Sequence, residues 1–96
     1  MTEEEAQQRL TERRSRIDEI DRLILELLNQ RTRVVHDIGH IKRDFKMPVY
    51  EPKREDEVFR NVTDNNPGPL PSDAVKRVFE RIIDEMRSVQ KNRMKD

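Results

Sequence analysis

Residues 10–43 read LTERRSRIDEIDRLILELLNQRTRVVHDIGHIKR and contain no proline. Hydrophobic residues recur in this segment at spacings of three and four, which is the period of an amphipathic helix. They are Ile17, Ile20, Ile24, Leu27, Val34, Ile38 and Ile41, and we call this set the α1 stripe. The spacing predicts one helix from about Leu10 to about Arg43. At a rise of 1.5 Å per residue, this helix would be roughly 50 Å long.

Such a helix is too long for the globule that one chain of this size can build. A compact globule of 96 residues is only about 30 Å across, from its expected radius of gyration. The hydrophobic stripe therefore needs a covering surface from elsewhere, and a second copy of the chain is the simplest source. We expect an intertwined homodimeric helical bundle. A plain two-stranded coiled coil is the alternative that the pattern alone leaves open.

Two further helices are predicted downstream. Pro48 disfavours helix in the residue before it, and a short helix begins near Glu51 and Pro52, since proline suits the first turn of a helix. The segment DNNPGP at residues 64–69 is a strong break. Ser72 is then placed to cap a third helix. Its inward positions are Val75, Val78, Phe79, Ile82, Ile83, Met86 and Val89.

The predicted fold class is therefore all-α, with one very long, one short and one medium helix. The chain is long enough for one small domain, which we expect to span residues 1–96. Residues 1–9 and 91–96 are expected to be frayed tails. Only 32% of the residues are hydrophobic and 42% are charged, a composition that also permits disorder. The regular spacing of the hydrophobic residues argues against disorder.

The composition excludes several classes of function. Lys and Arg number 20, as do Asp and Glu, and this balance predicts neither a nucleic-acid partner nor a membrane partner. There is no cysteine and no long apolar run, so we expect no disulfide, signal peptide or membrane span, and a cytoplasmic protein by default. His36 and His40 are four residues apart, but no third ligand has metal-site spacing, so no metal site is predicted.

Charged residues occupy several inward positions of the first helix. Arg31 takes the one slot that the α1 stripe skips, and a buried guanidinium needs an anion nearby. An acid on a neighbouring helix is one candidate for that anion, and a bound ligand is the other. Arg14, Leu28, Val35 and Lys42 are separated by multiples of seven residues, which places Arg14 and Lys42 at the edge of the same seam.

The other two helices also carry polar residues on their inward faces. Glu55 precedes Val58, Phe59 and Val62, which places it inward with Arg54 at the edge of that face. Gln90 follows Phe79, Ile83 and Met86 at helical spacings. Three cations, one carboxylate and one amide among apolar side chains would suit a small dianion. Arg14 is about 25 Å from Arg31 along the helix, so the two could bind one ligand only across a dimer.

Five segments, in this order and spacing, are similar to the all-helical chorismate mutases from about Arg14 to Gln90. They are RSRIDEID at 14–21, LLNQR at 27–31, IGHIK at 38–42, PVYEPKRE at 48–55, and Ile82-Ile83 together with Gln90. The resemblance implies rearrangement of chorismate to prephenate, a reaction that needs no nucleophile, proton transfer or cofactor. Phenylalanine and tyrosine biosynthesis is the pathway that the resemblance implies.

The resemblance also implies a role for each matching residue. Arg31, together with Arg14 of the partner subunit, would bind substrate carboxylate. Lys42 would bridge a carboxylate and the ether oxygen, and Gln90 would donate to that same oxygen.

On the second helix, the resemblance implies that Glu55 holds the ring hydroxyl, aided by the backbone near Glu51. Arg54 would orient Glu55 and the substrate. Glu51 stands where the family more often has aspartate, and Met86 stands where some members have a serine that contacts a carboxylate.

Two other functions remain open at this point. An isochorismate pyruvate-lyase would share the fold and much of the pocket, and a regulatory or dimerisation module would share the fold without activity. The turn at residues 65–69 resembles that of mutase domains fused to an aldolase-type synthase of the same pathway, which makes such a synthase a candidate partner.

Overall fold

A computed structural model describes residues 1–95, with side chains as far as Asn92, and it confirms an all-α fold. Helix α1 spans Glu3–Asp44, α2 spans Pro52–Asp64 and α3 spans Ser72–Lys95. No strand occurs within residues 1–95. The breaks between the helices fall at the two proline-containing segments that the sequence analysis singled out, and Pro52 is the first residue of α2.

Helix α1 begins earlier than expected. The Thr2 hydroxyl accepts a hydrogen bond of 3.1 Å from the Glu5 backbone N–H, and the first turn holds Glu3, Glu4 and Glu5. A hydroxyl cap and an acidic first turn both stabilise a helix N-terminus. Residues 3–9 are therefore helical, where a frayed tail was expected. Likewise, α3 continues through the segment from Lys91 to Lys95.

Helix α1 ends in a tight reversal at Lys46. The Met47 N–H donates to the Lys42 carbonyl at 2.7 Å, and the Lys46 N–H donates to the Arg43 carbonyl at 3.3 Å. This pair of bonds forms a Schellman motif, whose left-handed residue is usually glycine. Here it is Lys46, with φ of 55°. The motif directs the chain into the loop of residues 47–51, which lies against Lys42.

The chain divides into two compact units, Met1–Arg31 and Thr32–Asp96. Within the first unit the helical residues all belong to α1. Its part of the α1 stripe is exposed: Ile17, Ile20, Ile24 and Leu27 keep 40% to 63% of their surface accessible. Among the helices of residues 1–95, none combines the length and the apolar character that crossing a bilayer requires.

The core of the second unit is small. Its buried hydrophobic residues are Val35, Val75, Ile83 and Met86, and α2 packs against α3. Helix α1 contributes a face made of Val35, Gly39 and Lys42. This face differs from the α1 stripe, whose members in this unit, Val34, Ile38 and Ile41, are exposed. Val78 of α3, which was expected to be inward, is also exposed.

Candidate active site

Lys42 is the buried cation at the centre of the candidate site. Its side chain is 6% exposed. The ammonium group donates to the Val49 carbonyl at 3.1 Å and to Gln90 Oε1 at 2.9 Å, and it lies 3.0 Å from Glu51 Oε2. An ammonium has three N–H donors, so three oxygens match them. The structure thus brings together Lys42 and Gln90, two residues that the sequence analysis placed on separate inward faces.

Glu51 provides the negative charge that balances Lys42. It is the residue before α2, where a carboxylate often caps the helix, but its side chain makes no capping hydrogen bond. The carboxylate faces Lys42 instead, and the Glu51 side chain is 50% exposed. The sequence pattern predicts Lys42 as a cation for a bound anion, but it does not predict this internal partner.

Gln90 presents a donor to the space beside Lys42. Because its oxygen accepts from Lys42, its NH2 group is directed elsewhere, since the two ends of an amide diverge. No hydrogen bond from that NH2 group occurs among the side chains of residues 1–92. An ammonium and an amide NH2 that lie side by side can both donate to an oxygen on which negative charge develops.

Glu55 is held by an arginine that the sequence analysis did not predict. Arg87 Nη2 donates to both carboxylate oxygens of Glu55, each at 2.7 Å. The side chains are 34% and 22% exposed, respectively, so the pair is partly shielded from water. Glu55 does lie inward, as its spacing predicted. Its partner comes from α3, 32 residues away.

The Arg87 guanidinium makes two further contacts. Its carbon lies 5.2 Å from the centre of the Tyr50 ring, and Nη1 lies 3.5 Å from Asp84 Oδ1. Its Nε atom is buried and has no hydrogen-bond partner among the described residues. The hydrogen bond to Glu55 raises the pKa of Arg87 from its ordinary value against the opposing effect of desolvation. Arg87 therefore stays cationic at every ordinary pH.

Arg54 points away from Glu55. Its Nη1 donates to Glu57 Oε2 at 3.2 Å, and both side chains are exposed. In the single chain Glu55 is contacted by Arg87 and not by Arg54, and the role of Arg54 toward Glu55 and the substrate stays a prediction. Arg54 and Glu51 instead line an open recess of about 490 Å³ at the start of α2.

Met86 lies in the core, four residues and about one helical turn before Gln90 on α3. It is buried, and its sulfur accepts a hydrogen bond of 3.6 Å from the Thr32 hydroxyl. Sulfur is a weak acceptor, so the main contribution of Met86 here is packing in the core. The serine hydroxyl found at this position in some relatives has no equivalent here.

Arg14 and Arg31, the two remaining predicted ligand residues, both belong to the first unit. The Arg14 side chain is exposed and makes no ion pair with any described residue. Arg31 is half-buried and has interactions of its own. Within the described residues, no group of three or more His, Asp or Glu side chains has the arrangement of a metal site.

A sequence signal for Arg87 was present. It follows Ile83 by four residues and precedes Gln90 by three, so it lies on the inward side of α3. The inward Glu55 needed a cationic partner, because a partly buried carboxylate is costly without one. An inward Glu55 on α2 therefore predicts an arginine on another helix, and Arg87 lies on the inward side of α3.

A scan against family models matches residues 13–91 to chorismate mutase type II. Lys42, Glu51, Glu55, Arg87 and Gln90 all lie inside the matched segment. The chain belongs to the chorismate mutase type II family.

Curated relatives include both bifunctional proteins and a chorismate mutase of about the length of this chain. The bifunctional chorismate mutase/prephenate dehydratase of Neisseria gonorrhoeae is 42% identical over 78 residues, covering 81% of this chain and 21% of the relative. That of Aquifex aeolicus is 36% identical over 86 residues, covering 85% and 24%. The chain thus spans about a fifth to a quarter of these bifunctional relatives. The chorismate mutase of Methanocaldococcus jannaschii is 27% identical over 97 residues, covering 93% of this chain and 91% of the relative.

Solved chorismate mutases share the fold. Form II of the Thermus thermophilus enzyme superposes with a TM-score of 0.84 at 34% identity, covering 86% of this chain and 94% of that one. The Helicobacter pylori chorismate mutase, solved in complex with prephenate, superposes with a TM-score of 0.83 at 26% identity, covering 91% and 94%.

Proposed function

We propose that this chain is a chorismate mutase that rearranges chorismate to prephenate. The observation that carries the proposal is the buried Lys42 ammonium beside the Gln90 amide, 2.9 Å apart. In the Claisen rearrangement the ether C–O bond breaks as a new C–C bond forms, and no proton, nucleophile or cofactor takes part. The product named in the Helicobacter pylori structure, prephenate, supports the same reaction.

The protein's chemical contribution would be electrostatic. Negative charge develops on the ether oxygen as the C–O bond breaks, and preorganised donors stabilise such charge most in a site shielded from water. Lys42 supplies an ammonium in an almost fully buried position, and Gln90 supplies its NH2 group. Neither group needs to gain or lose a proton.

Substrate must exchange with one of the oxygens that already surround Lys42. Val49 contributes a backbone carbonyl, and Gln90 is half-buried. The Glu51 side chain is the most exposed of the three partners. It makes no capping hydrogen bond to α2 that would fix its position. Glu51 is therefore the partner that swings aside when a substrate oxygen binds Lys42.

The second contribution would be positioning. Holding the side chain of chorismate over the ring removes conformational freedom before the reaction, which lowers the barrier. Two substrate carboxylates suit two arginine forks. Arg31 and Arg14 of the partner subunit are proposed for this role, because the family resemblance matches both positions.

A shared site of this kind requires a homodimer. The α1 stripe supports one, since its residues stay exposed in each unit of the chain and exposed hydrophobic surface of this extent is typical of an interface. A second copy of α1 presents the same stripe, as the self-complementary contact of a two-fold dimer requires. Sedimentation equilibrium at micromolar concentration should give twice the mass of the chain, and a monomer with full activity would refute shared sites.

The direct test is loss of chorismate absorbance with purified protein, together with identification of prephenate as the product. Lys42→Met should lose activity by at least a hundredfold, whereas Lys53→Met, which removes an exposed lysine, should match the parent. Turnover of isochorismate but not chorismate would select the pyruvate-lyase instead. A folded dimer without turnover of either compound would select the non-catalytic module.

Two further proposals concern the compartment of the protein and a partner protein. The proposed compartment is the cytoplasm. An aldolase-type synthase of the same pathway stays a proposed partner, while the bifunctional relatives named above combine chorismate mutase with prephenate dehydratase in one protein. Co-purification of the tagged chain with such a synthase would test that contact.

A further inference from the structure

Arg87 connects two parts of the candidate site that no other described side chain connects. Its Nη2 binds both oxygens of Glu55 on α2. The flat face of its guanidinium lies over the Tyr50 ring. Tyr50 stands in the loop between Val49 and Glu51, and both of these residues contribute an oxygen to Lys42.

The geometry of this contact restricts the Glu55 carboxylate. Arg87 Nη2 lies 2.7 Å from both oxygens of Glu55. This contact fixes the distance of the carboxylate from the guanidinium and limits rotation of the carboxylate plane. The stack on Tyr50 limits rotation of the guanidinium in turn, because arginine packs flat on aromatic rings. Lysine has no flat group to pack on Tyr50, so its ammonium, a point charge on a flexible stem, would not be held in the same way.

Partial burial separates this pair from the surface ion pairs of the same helix. The Arg87 and Glu55 side chains are 34% and 22% exposed. The Arg81–Glu85 pair on α3 has a similar distance, 2.8 Å, but both of its side chains are mostly exposed. Exposed pairs of that kind contribute little to geometry or stability. Arg81 is therefore a matched control for Arg87.

We infer that Arg87 is a positioning residue, which acts through Glu55 to recognise the ring hydroxyl of the substrate. This inference rests on the proposed function, since it takes from it that Glu55 accepts the hydroxyl's hydrogen bond. Without Arg87, the Glu55 carboxylate rotates and its oxygens no longer meet the hydroxyl. Arg87 itself contacts neither the reacting bond nor the ether oxygen.

The experiment measures kcat and KM for six proteins on two substrates. Four of the proteins are the parent, Arg87→Met, Arg87→Lys and the control Arg81→Met, and the other two are Glu55→Gln and the double variant Glu55→Gln/Arg87→Met. The substrates are chorismate and an analogue in which hydrogen replaces the ring hydroxyl. A purely structural role for Arg87 would lower activity on both substrates by the same factor. A positioning role would lower activity only on the substrate that has the hydroxyl.

The expected result for Arg87→Met is a fall of about 10- to 100-fold in kcat/KM for chorismate, the size of a misplaced contact, with little change for the analogue. Arg87→Lys should recover only part of the loss, and Arg81→Met should match the parent. In a background that already carries Glu55→Gln, Arg87→Met should add nothing further, because the two changes remove the same contact.

Three outcomes would overturn the inference. They are an equal loss on both substrates, additive losses in the double variant, or an Arg87→Met protein as active on chorismate as Arg81→Met. Thermal melting of each variant identifies a protein that has failed to fold. If Arg87→Met does not fold, Arg87→Lys serves as the test in its place. A parent protein without activity on chorismate would refute the proposed function instead, so the two failures are distinguishable.

Discussion

Replacing Gln90 with glutamate changes the donor beside Lys42 while nearly preserving its shape. In the parent, Gln90 accepts from Lys42 through Oε1 at 2.9 Å, and in the proposed mechanism its NH2 group donates to the ether oxygen. The variant keeps the acceptor, because one carboxylate oxygen can still face Lys42. It loses the donor whenever the new carboxyl is ionised.

The size of the effect follows from two contributions. A hydrogen bond to a charged group contributes about 1.5–3 kcal/mol. An ionised carboxylate adjacent to a half-developed negative charge adds about 2 kcal/mol of repulsion, from Coulomb's law at an effective dielectric constant of about 20 and a separation of about 4 Å. Their sum is about 3.5–5 kcal/mol. At 1.36 kcal/mol for each factor of ten, kcat/KM should fall by about three orders of magnitude at neutral pH.

The loss should be reversed by acid. The protonated carboxyl has an O–H donor, so activity is present below the pKa of the new group and falls as the pH rises through it. Lys42 favours the ionised form of that group. Glu51, 3.0 Å from the same ammonium, opposes it, because two carboxylates would then share one cation. Above this pKa, the activity of the variant should rise up to tenfold for each unit by which the pH falls, and below the pKa it should level off.

The assay is a profile of kcat/KM from about pH 4.5 to pH 8.5 for the parent, Gln90→Glu and the control Gln90→Met. The parent should vary little, because an amide donates at every ordinary pH. The methionine variant should be low and flat, because it has no proton to recover. If the glutamate variant runs parallel to the parent, or equals it at pH 8, Gln90 does not donate to the ether oxygen.

The other predictions concern the dimer, the Lys42 cluster and the end of α1. Arg14→Ala and Arg31→Ala should each be nearly inactive. An equal mixture of the two that exchanges subunits should recover about a quarter of the parent activity, since half of the dimers then hold one intact site of two. No recovery after verified exchange would exclude sites shared in this way. Glu51→Gln should bind prephenate several-fold more tightly by calorimetry, because no carboxylate then competes for the ammonium, and weaker binding would contradict the proposed exchange. Lys46→Gly should raise the Tm by roughly 2–5 °C in a thermal melt, since glycine adopts φ of 55° without strain. A lower Tm would show that the left-handed conformation of Lys46 carries little strain energy.

Local patterns were enough to predict the number of helices and the breaks between them. The three-four spacing of hydrophobic residues indicates a helix directly, and prolines exclude helix where they remove an N–H donor. The prediction of α2 from Pro52 agrees with the structure for this reason. The start of α1 was missed although its signal was local, since Thr2 with Glu5 three residues later is the pattern of a capped N-terminus.

The exposed α1 stripe was also predictable in part. Sequence length showed that the predicted helix exceeds what one globule can cover. It did not show which face of α1 the same chain buries. The structure places Val35, Gly39 and Lys42 on the buried face and leaves Ile38 and Ile41 exposed, because the packing of α2 and α3 selects one of two adjacent apolar faces.

Helical spacing assigned Lys42, Glu55 and Gln90 to inward faces, but it could not assign their partners. Arg54 and Glu55 are neighbours in sequence and yet diverge, since consecutive residues on a helix point about 100° apart. The guanidinium that reaches Glu55 comes from Arg87, on another helix. A side chain's face is set by the repeat of its own helix, whereas the atom that it meets depends on how separate helices and loops pack, and only the tertiary structure contains that information.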